Sequence, residues 1–169
     1  MRASMNLTDS FQDKLQTYQD ILKSAKDSGN LYQEANAYTN LGSTYMSMEE
    51  YAESLKLFNQ ALTIFQKTGN LREQVWVLNN IGTLYFTITQ YNEAIDAYQR
   101  AILASKLAGV LVREGWVWRN LGGTYRAMSQ YDKAIEAFLE AIKVFQATGS
   151  TEDQLETVHL LQEVQQEFS

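Results

Sequence analysis

The stretch WVLNNIGTLYFTITQYNEAIDAYQRAI, residues 76–102, appears in near copy once before and once after itself in this chain of 169 residues. Asn80, Ile81, Gly82 and Tyr85 recur forty residues upstream as Asn40, Leu41, Gly42 and Tyr45, and forty downstream as Asn120, Leu121, Gly122 and Tyr125. Tyr91, Ala94, Ile95 and Ala101 match Tyr51, Ser54, Leu55 and Ala61 on one side and Tyr131, Ala134, Ile135 and Ala141 on the other. A further column, Gly29, Gly69, Gly109 and Gly149, keeps the same period. Self-similarity at a fixed spacing of about twenty to fifty residues marks a solenoid, in which each unit buries its apolar face on the next.

Within each copy the apolar positions follow helical spacing. The pattern predicts helices over 10–28, 31–47, 50–68, 71–87, 90–108, 111–127, 130–148 and 151–168. Ser10 or Asp9 is placed to cap the first, and Gly29 to end it in a left-handed conformation. Tyr38, Leu41, Gly42 and Tyr45 fall on one interior face, as do their counterparts. A mid-helix glycine costs about 1 kcal/mol relative to alanine, so three in one phase need a reason: the missing side chain lets the paired helix approach. Small residues at Ser54 and Ala61, or Ala94 and Ala101, serve the same end from the other side. In the last helix Gln162 stands where Gly42, Gly82 and Gly122 stood, as expected of an atypical terminal cap.

The expected fold is therefore all-α, a right-handed α-solenoid of about eight helices. Three full units, 31–70, 71–110 and 111–150, are flanked by half units at 10–29 and 151–168. Residues 10–169 read as a single domain after an unstructured segment over 1–9. With no proline there is no evident linker. Apolar residues make up 45%, enough for a continuous core, and no apolar run approaches membrane-spanning length. The N-terminus lacks the apolar stretch of a secretory signal. No cysteine is present, which excludes disulfides, thiol nucleophiles and thiolate-bound metals; a cytoplasmic location is the expectation. The net charge of -6 argues against general nucleic-acid binding, which needs an excess of lysine and arginine.

These residues resemble tetratricopeptide repeats over essentially 10–168. The aromatic, Leu-Gly, Tyr signature of the first helix is met by Tyr38, Leu41, Gly42 and Tyr45 and by Trp118, Leu121, Gly122 and Tyr125; Leu78 replaces the aromatic in the middle unit. The small-aromatic-small signature of the second helix appears as Ser54, Phe58 and Ala61, then Ala94, Tyr98 and Ala101, then Ala134, Phe138 and Ala141. The period of forty, against the usual thirty-four or so, and the missing proline make it similar to the long variants of Leu-Gly-Asn repeat proteins, kinesin light chains and bacterial regulatory proteins. The resemblance implies a scaffold, not an enzyme, whose first helices line a concave groove for a peptide or partner helix.

Carried onto this chain, the groove register gives Asn36 and Asn40, then Trp76, Asn80 and Thr83, then Trp116 and Asn120. A neighbouring stripe adds Asn79 and Phe86, and Arg119 and Arg126. Side-chain amides offer both donor and acceptor to a peptide backbone; the same asparagines can instead bond adjacent helices and align the stack. Trp76 and Trp116 stand one repeat apart at the groove mouth, where an apolar anchor would be gripped or neighbouring helices packed; Trp118 lies in the core register. Arg119 and Arg126, seven apart, share a face and could meet a ligand carboxylate, or be neutralised by Glu114 or by Glu152, Asp153 and Glu156. The lysine and asparagine set of chaperone-binding clamps is not reproduced. The single histidine, His159, has no second histidine or cysteine to complete a metal site, and no phosphate loop or catalytic motif emerges, so no cofactor is expected.

The primary expectation is thus a protein-interaction scaffold. The alternatives are a peptide-responsive regulatory receptor and self-assembly into a homo-oligomer through the incomplete terminal repeats.

Overall fold

The computed structural model describes the backbone of residues 2–168 and the side chains of residues 10–168. The fold is all-α, with eight helices in order: α1 (Arg2–Ser28), α2 (Leu31–Ser47), α3 (Tyr51–Lys67), α4 (Leu71–Thr87), α5 (Tyr91–Ala108), α6 (Leu111–Ala127), α7 (Tyr131–Thr148) and α8 (Thr151–Phe168). Within α1–α3 and within α4–α8, consecutive helices pack as antiparallel pairs. The bounds of α2, α4, α6 and α8 match the sequence expectation, and those of α3, α5 and α7 differ by one residue or so. The exception is α1, which starts at Arg2, so that Ser10 lies inside the helix and does not cap it. Residues 2–9, expected to be unstructured, fall within α1 by these bounds.

The helices form two compact units, Met1–Asn70 and Leu71–Ser169. In the first, α2 and α3 form a hairpin against which α1 lies. The Phe58 ring fills the space beside Gly42, where an added Cβ would come within 2.8 Å of it. Ser54 is fully buried and donates from its Oγ to the Gly42 carbonyl at 2.8 Å. Polar closure thus accompanies the close approach.

In the second unit the same device is used twice more. A Cβ on Gly82 would lie 2.5 Å from the Tyr98 ring, and one on Gly122 would lie 2.7 Å from Phe138. Ala94, Ala101, Ala134 and Ala141 are fully buried. A Cβ added to Gly115 would likewise come within 2.5 Å of the Phe145 ring. In α4 and α5 the equivalent positions hold Val75 and Ser105, both buried, so the bulk has moved from one helix to the other. Val164 of α8 closes the end of this core with Ala134 and Phe138, flanked by Tyr125, Leu160 and Leu161.

The turns explain why the repeat tolerates the absence of proline. Gly29, Gly69, Gly109 and Gly149 all have φ between 67° and 73°, the left-handed conformation that ends a helix without penalty for glycine. The turns inside the hairpins adopt it too, at Glu49, Thr89 and Ser129, with φ of 63°, 61° and 57°. There the chain is reversed by a bond from the following amide, Glu50, Gln90 or Gln130, to the carbonyl of Tyr45, Tyr85 or Tyr125, each at 2.9 Å.

Candidate functional site

The residues marked by the groove register fall in both units. In the first, Asn36 donates from Nδ2 to the Tyr32 carbonyl of its own helix at 3.0 Å. Asn40 is exposed and borders an open hollow with Phe11, Lys14, Tyr18, Ser43 and Ser47. Most of the marked residues lie in the second unit, on α4 and α6.

Helical periodicity places Trp76, Asn79, Thr83 and Phe86 along one side of α4, and Trp116, Arg119, Asn120 and Gly123 along one side of α6. Two neighbouring places result. The first is a shallow cleft bordered by Trp76, Asn79, Arg113 and Trp116. Trp76 is 43% exposed, and Trp116 is half-buried. The Arg113 guanidinium lies 5.8 Å from the Trp76 ring centroid and donates from Nη1 to the Arg72 carbonyl at 2.7 Å, so cation and ring hold each other in place.

The second is a hollow of about 280 Å³ bordered by Thr83, Phe86, Tyr98, Arg119, Asn120, Gly123 and Leu160. Phe86 is 37% exposed, its ring tilted against Tyr91 at 5.7 Å between centroids. Thr83 Oγ1 donates to the Asn79 carbonyl at 3.0 Å and lies 3.2 Å from the Tyr98 hydroxyl. Burial pushes the Tyr98 phenol up to about 12, against a smaller lowering by Thr83; the hollow therefore presents it as a neutral hydroxyl. Asn120 donates from Nδ2 to Asn79 Oδ1 at 2.9 Å, so this asparagine pair bridges α4 and α6. Asn80 is half-buried beside it in sequence.

Arg119 and Arg126 are both ion-paired in this structure. Arg119 Nη1 pairs with Asp153 at 3.2 Å and Glu156 at 2.9 Å. Arg126 pairs with Glu163 at 2.7 Å and with Glu167. Of the two sequence readings, neutralisation by the acidic last helix is the one the side chains adopt, with Glu163 and Glu167 added to the expected acids. The Glu167 and Glu163 carboxylates raise the already basic Arg126 guanidinium further, and Arg126 in turn lowers the Glu167 carboxyl below its ordinary 4.5. Trp118, expected in the core, is half-buried at its rim: Nε1 donates to Glu114 Oε1 at 3.3 Å and Lys106 Nζ lies 5.8 Å from the ring centroid. His159 is exposed, with Nδ1 3.2 Å from Glu163.

Leu160 is absent from the groove register, and Tyr98 enters it only as the aromatic of the second-helix signature. Leu160 had a signal: it stands forty residues after Asn120, in the column of Asn40 and Asn80. Tyr98 reads as pure core because its ring is the knob on Gly82, and its hydroxyl reaches the hollow only through the length of that ring. Among the described residues no group of three or more His, Asp or Glu is placed to hold a metal ion, and no described helix is long and apolar enough to cross a membrane.

Two sequence-family models, each described as "Tetratricopeptide repeat", match residues 33–105 and 117–148. No curated protein matches the sequence. Similar solved structures include BtubC (BKLC) from P. vanneervenii, 15% identical with a TM-score of 0.69 over 96% of this chain and 76% of that one. RapI in its apo form is 16% identical, with a TM-score of 0.85 over 95% of this chain and 45% of that one. Aspartyl phosphate phosphatase F from Bacillus subtilis is 20% identical, with a TM-score of 0.76 over 92% of this chain and 43% of that one. The chain thus spans less than half the length of the last two. At such identities the likeness establishes the fold and not the activity.

Proposed function

This chain belongs to the tetratricopeptide-repeat family, and on that premise we propose that it is a protein-interaction scaffold whose second unit seats a peptide segment against α4, α6 and α8. Repeats of this family typically mediate protein–protein interaction and are generally non-catalytic. The observation that carries the reading is the hollow bordered by Phe86, Asn120 and Leu160. It combines an exposed ring and a leucine, which gain from losing water, with an amide able to meet a peptide backbone. Trp76 and Trp116, about two helical turns away on the same side, extend the surface for a longer ligand. Asn79 and Asn120 join α4 to α6 through one bond, and Asn120 borders the hollow while Asn79 borders the cleft beside Trp76.

Selection from a random peptide display library tests this reading. Enriched peptides should bind the wild-type protein and lose about tenfold or more in affinity, some 1.4 kcal/mol, to Phe86→Asp and to Leu160→Asp, with helicity unchanged. Peptides that bind both variants as well as wild type would place the interaction elsewhere and overturn it.

A further inference from the structure

Of the three glycines in α6, packing demands two. An added Cβ would come within 2.5 Å of the Phe145 ring at Gly115 and within 2.7 Å of the Phe138 ring at Gly122. Gly123 differs from both. A Cβ there meets nothing within 4 Å, and its φ is not in the left-handed range. Glycine inside a helix weakens it relative to any residue with an ordinary side chain, so this one opposes the stability of α6 without relieving a clash or a turn. In α2 and α4 the same phase holds Ser43 and Thr83. What Gly123 does border is the hollow, together with Phe86 and Leu160.

The charge beside that hollow is lopsided. Arg119 and Arg126 set two guanidiniums against the four carboxylates of Asp153, Glu156, Glu163 and Glu167. Each carboxylate is ion-paired, and Glu163 also meets His159, yet the cluster holds two more carboxylates than guanidiniums and α8 carries no lysine or arginine of its own. Asn120 spends its amide nitrogen on Asn79, which fixes the side chain and keeps its Oδ1 as an acceptor for a peptide N–H.

We propose that the ligand of this hollow is a peptide with a large apolar side chain next to a lysine or arginine, and that Gly123 is the residue that admits it. The apolar group lies over Gly123 between Phe86 and Leu160, and the cation meets the surplus carboxylates of α8. This rests on the reading of the hollow as a peptide site and adds the class of ligand and the residue that selects it. A bulkier residue at 123 would strengthen the helix and close the site, so stability and binding must move in opposite directions.

Fluorescence anisotropy with three labelled synthetic peptides tests it: a central leucine flanked by lysines, the same leucine flanked by glutamates, and a central alanine flanked by lysines. Wild type should bind the first at least about tenfold more tightly than either other peptide, a gap that narrows as salt is added. Gly123→Leu should lose that binding while its melting temperature rises by about 2–4 °C. Equal binding by Gly123→Leu, or a preference for the glutamate peptide, overturns the proposal. If none of the three binds while display-selected peptides still depend on Phe86, the ligand class is wrong and the site stands. If selected peptides ignore Phe86→Asp, the site itself is wrong.

Discussion

Replacing Gly122 and Gly123 by alanine, one at a time, puts the same methyl group on adjacent residues of one helix and should move stability in opposite directions. Both variants gain the helix-propensity difference of about 1 kcal/mol. Only Gly122→Ala meets an obstacle, since its Cβ would stand 2.7 Å from Cδ1 and Cε1 of Phe138. That ring is fully buried, so it cannot swing into solvent, and overpacking of this kind costs about 1–3 kcal/mol. Because the propensity gain is common to both, the difference between the two variants isolates the steric term at about 1–3 kcal/mol. Gly123→Ala, with nothing in its way, should be more stable than wild type by about 1 kcal/mol, raising the melting temperature by about 2–4 °C. Urea unfolding followed by far-UV circular dichroism reads both, provided the m-values agree. Equal shifts, or a stabilised Gly122→Ala, would refute the claim that the repeated glycines exist to seat the aromatic rings.

Thr89 holds φ of 61° in the turn between α4 and α5, a conformation that costs a β-branched residue about 1–2 kcal/mol. Thr89→Gly should therefore stabilise the protein by up to about 1 kcal/mol after the entropy gained by the unfolded chain, and a destabilised variant would contradict the turn geometry. Trp76 is 43% exposed; in a protein with Trp116 and Trp118 changed to phenylalanine, acrylamide should quench its fluorescence more steeply than it quenches Trp118 left alone, and the reverse order would sink the placement of Trp76 on the surface. The Arg126 partner holds the Glu167 carboxyl below its ordinary 4.5. A depressed carboxyl contributes stability that is present above the unfolded value and lost as pH falls through the folded one, so amide protection factors at the C-terminal end of α8, corrected for the intrinsic exchange rate, should fall below about pH 4.5. Glu167→Gln should remove that part of the pH dependence, and an unchanged acid profile would count against the pair.

The helices were legible because three registers repeat at one spacing, and each register has a physical counterpart. The Gly42, Gly82 and Gly122 column proved to be the seats of Phe58, Tyr98 and Phe138, and the Gly29 to Gly149 column proved to be left-handed turns. What the repeat could not show is where the copies differ. Gly115 seats the Phe145 ring, whereas the middle repeat holds Val75 and Ser105 at these places and the first holds Ala35 and Phe65. Glu49, Thr89 and Ser129 share no residue type, so the left-handed turn they occupy leaves no mark in the sequence. At the candidate site, periodicity gave the side of the helix on which Asn120, Phe86 and the arginines lie. It left each arginine two fates, a ligand carboxylate or the acids of α8, because spacing along one helix does not say which side chains of another helix come within reach.

The most direct measurement is an NMR titration of the isotope-labelled protein with the lysine-flanked leucine peptide. Shift changes should concentrate on Thr83, Phe86, Asn120, Gly123 and Leu160. Changes centred instead on Leu103 and Leu107, the exposed leucine pair of α5, would show that a peptide meets this protein on a different surface.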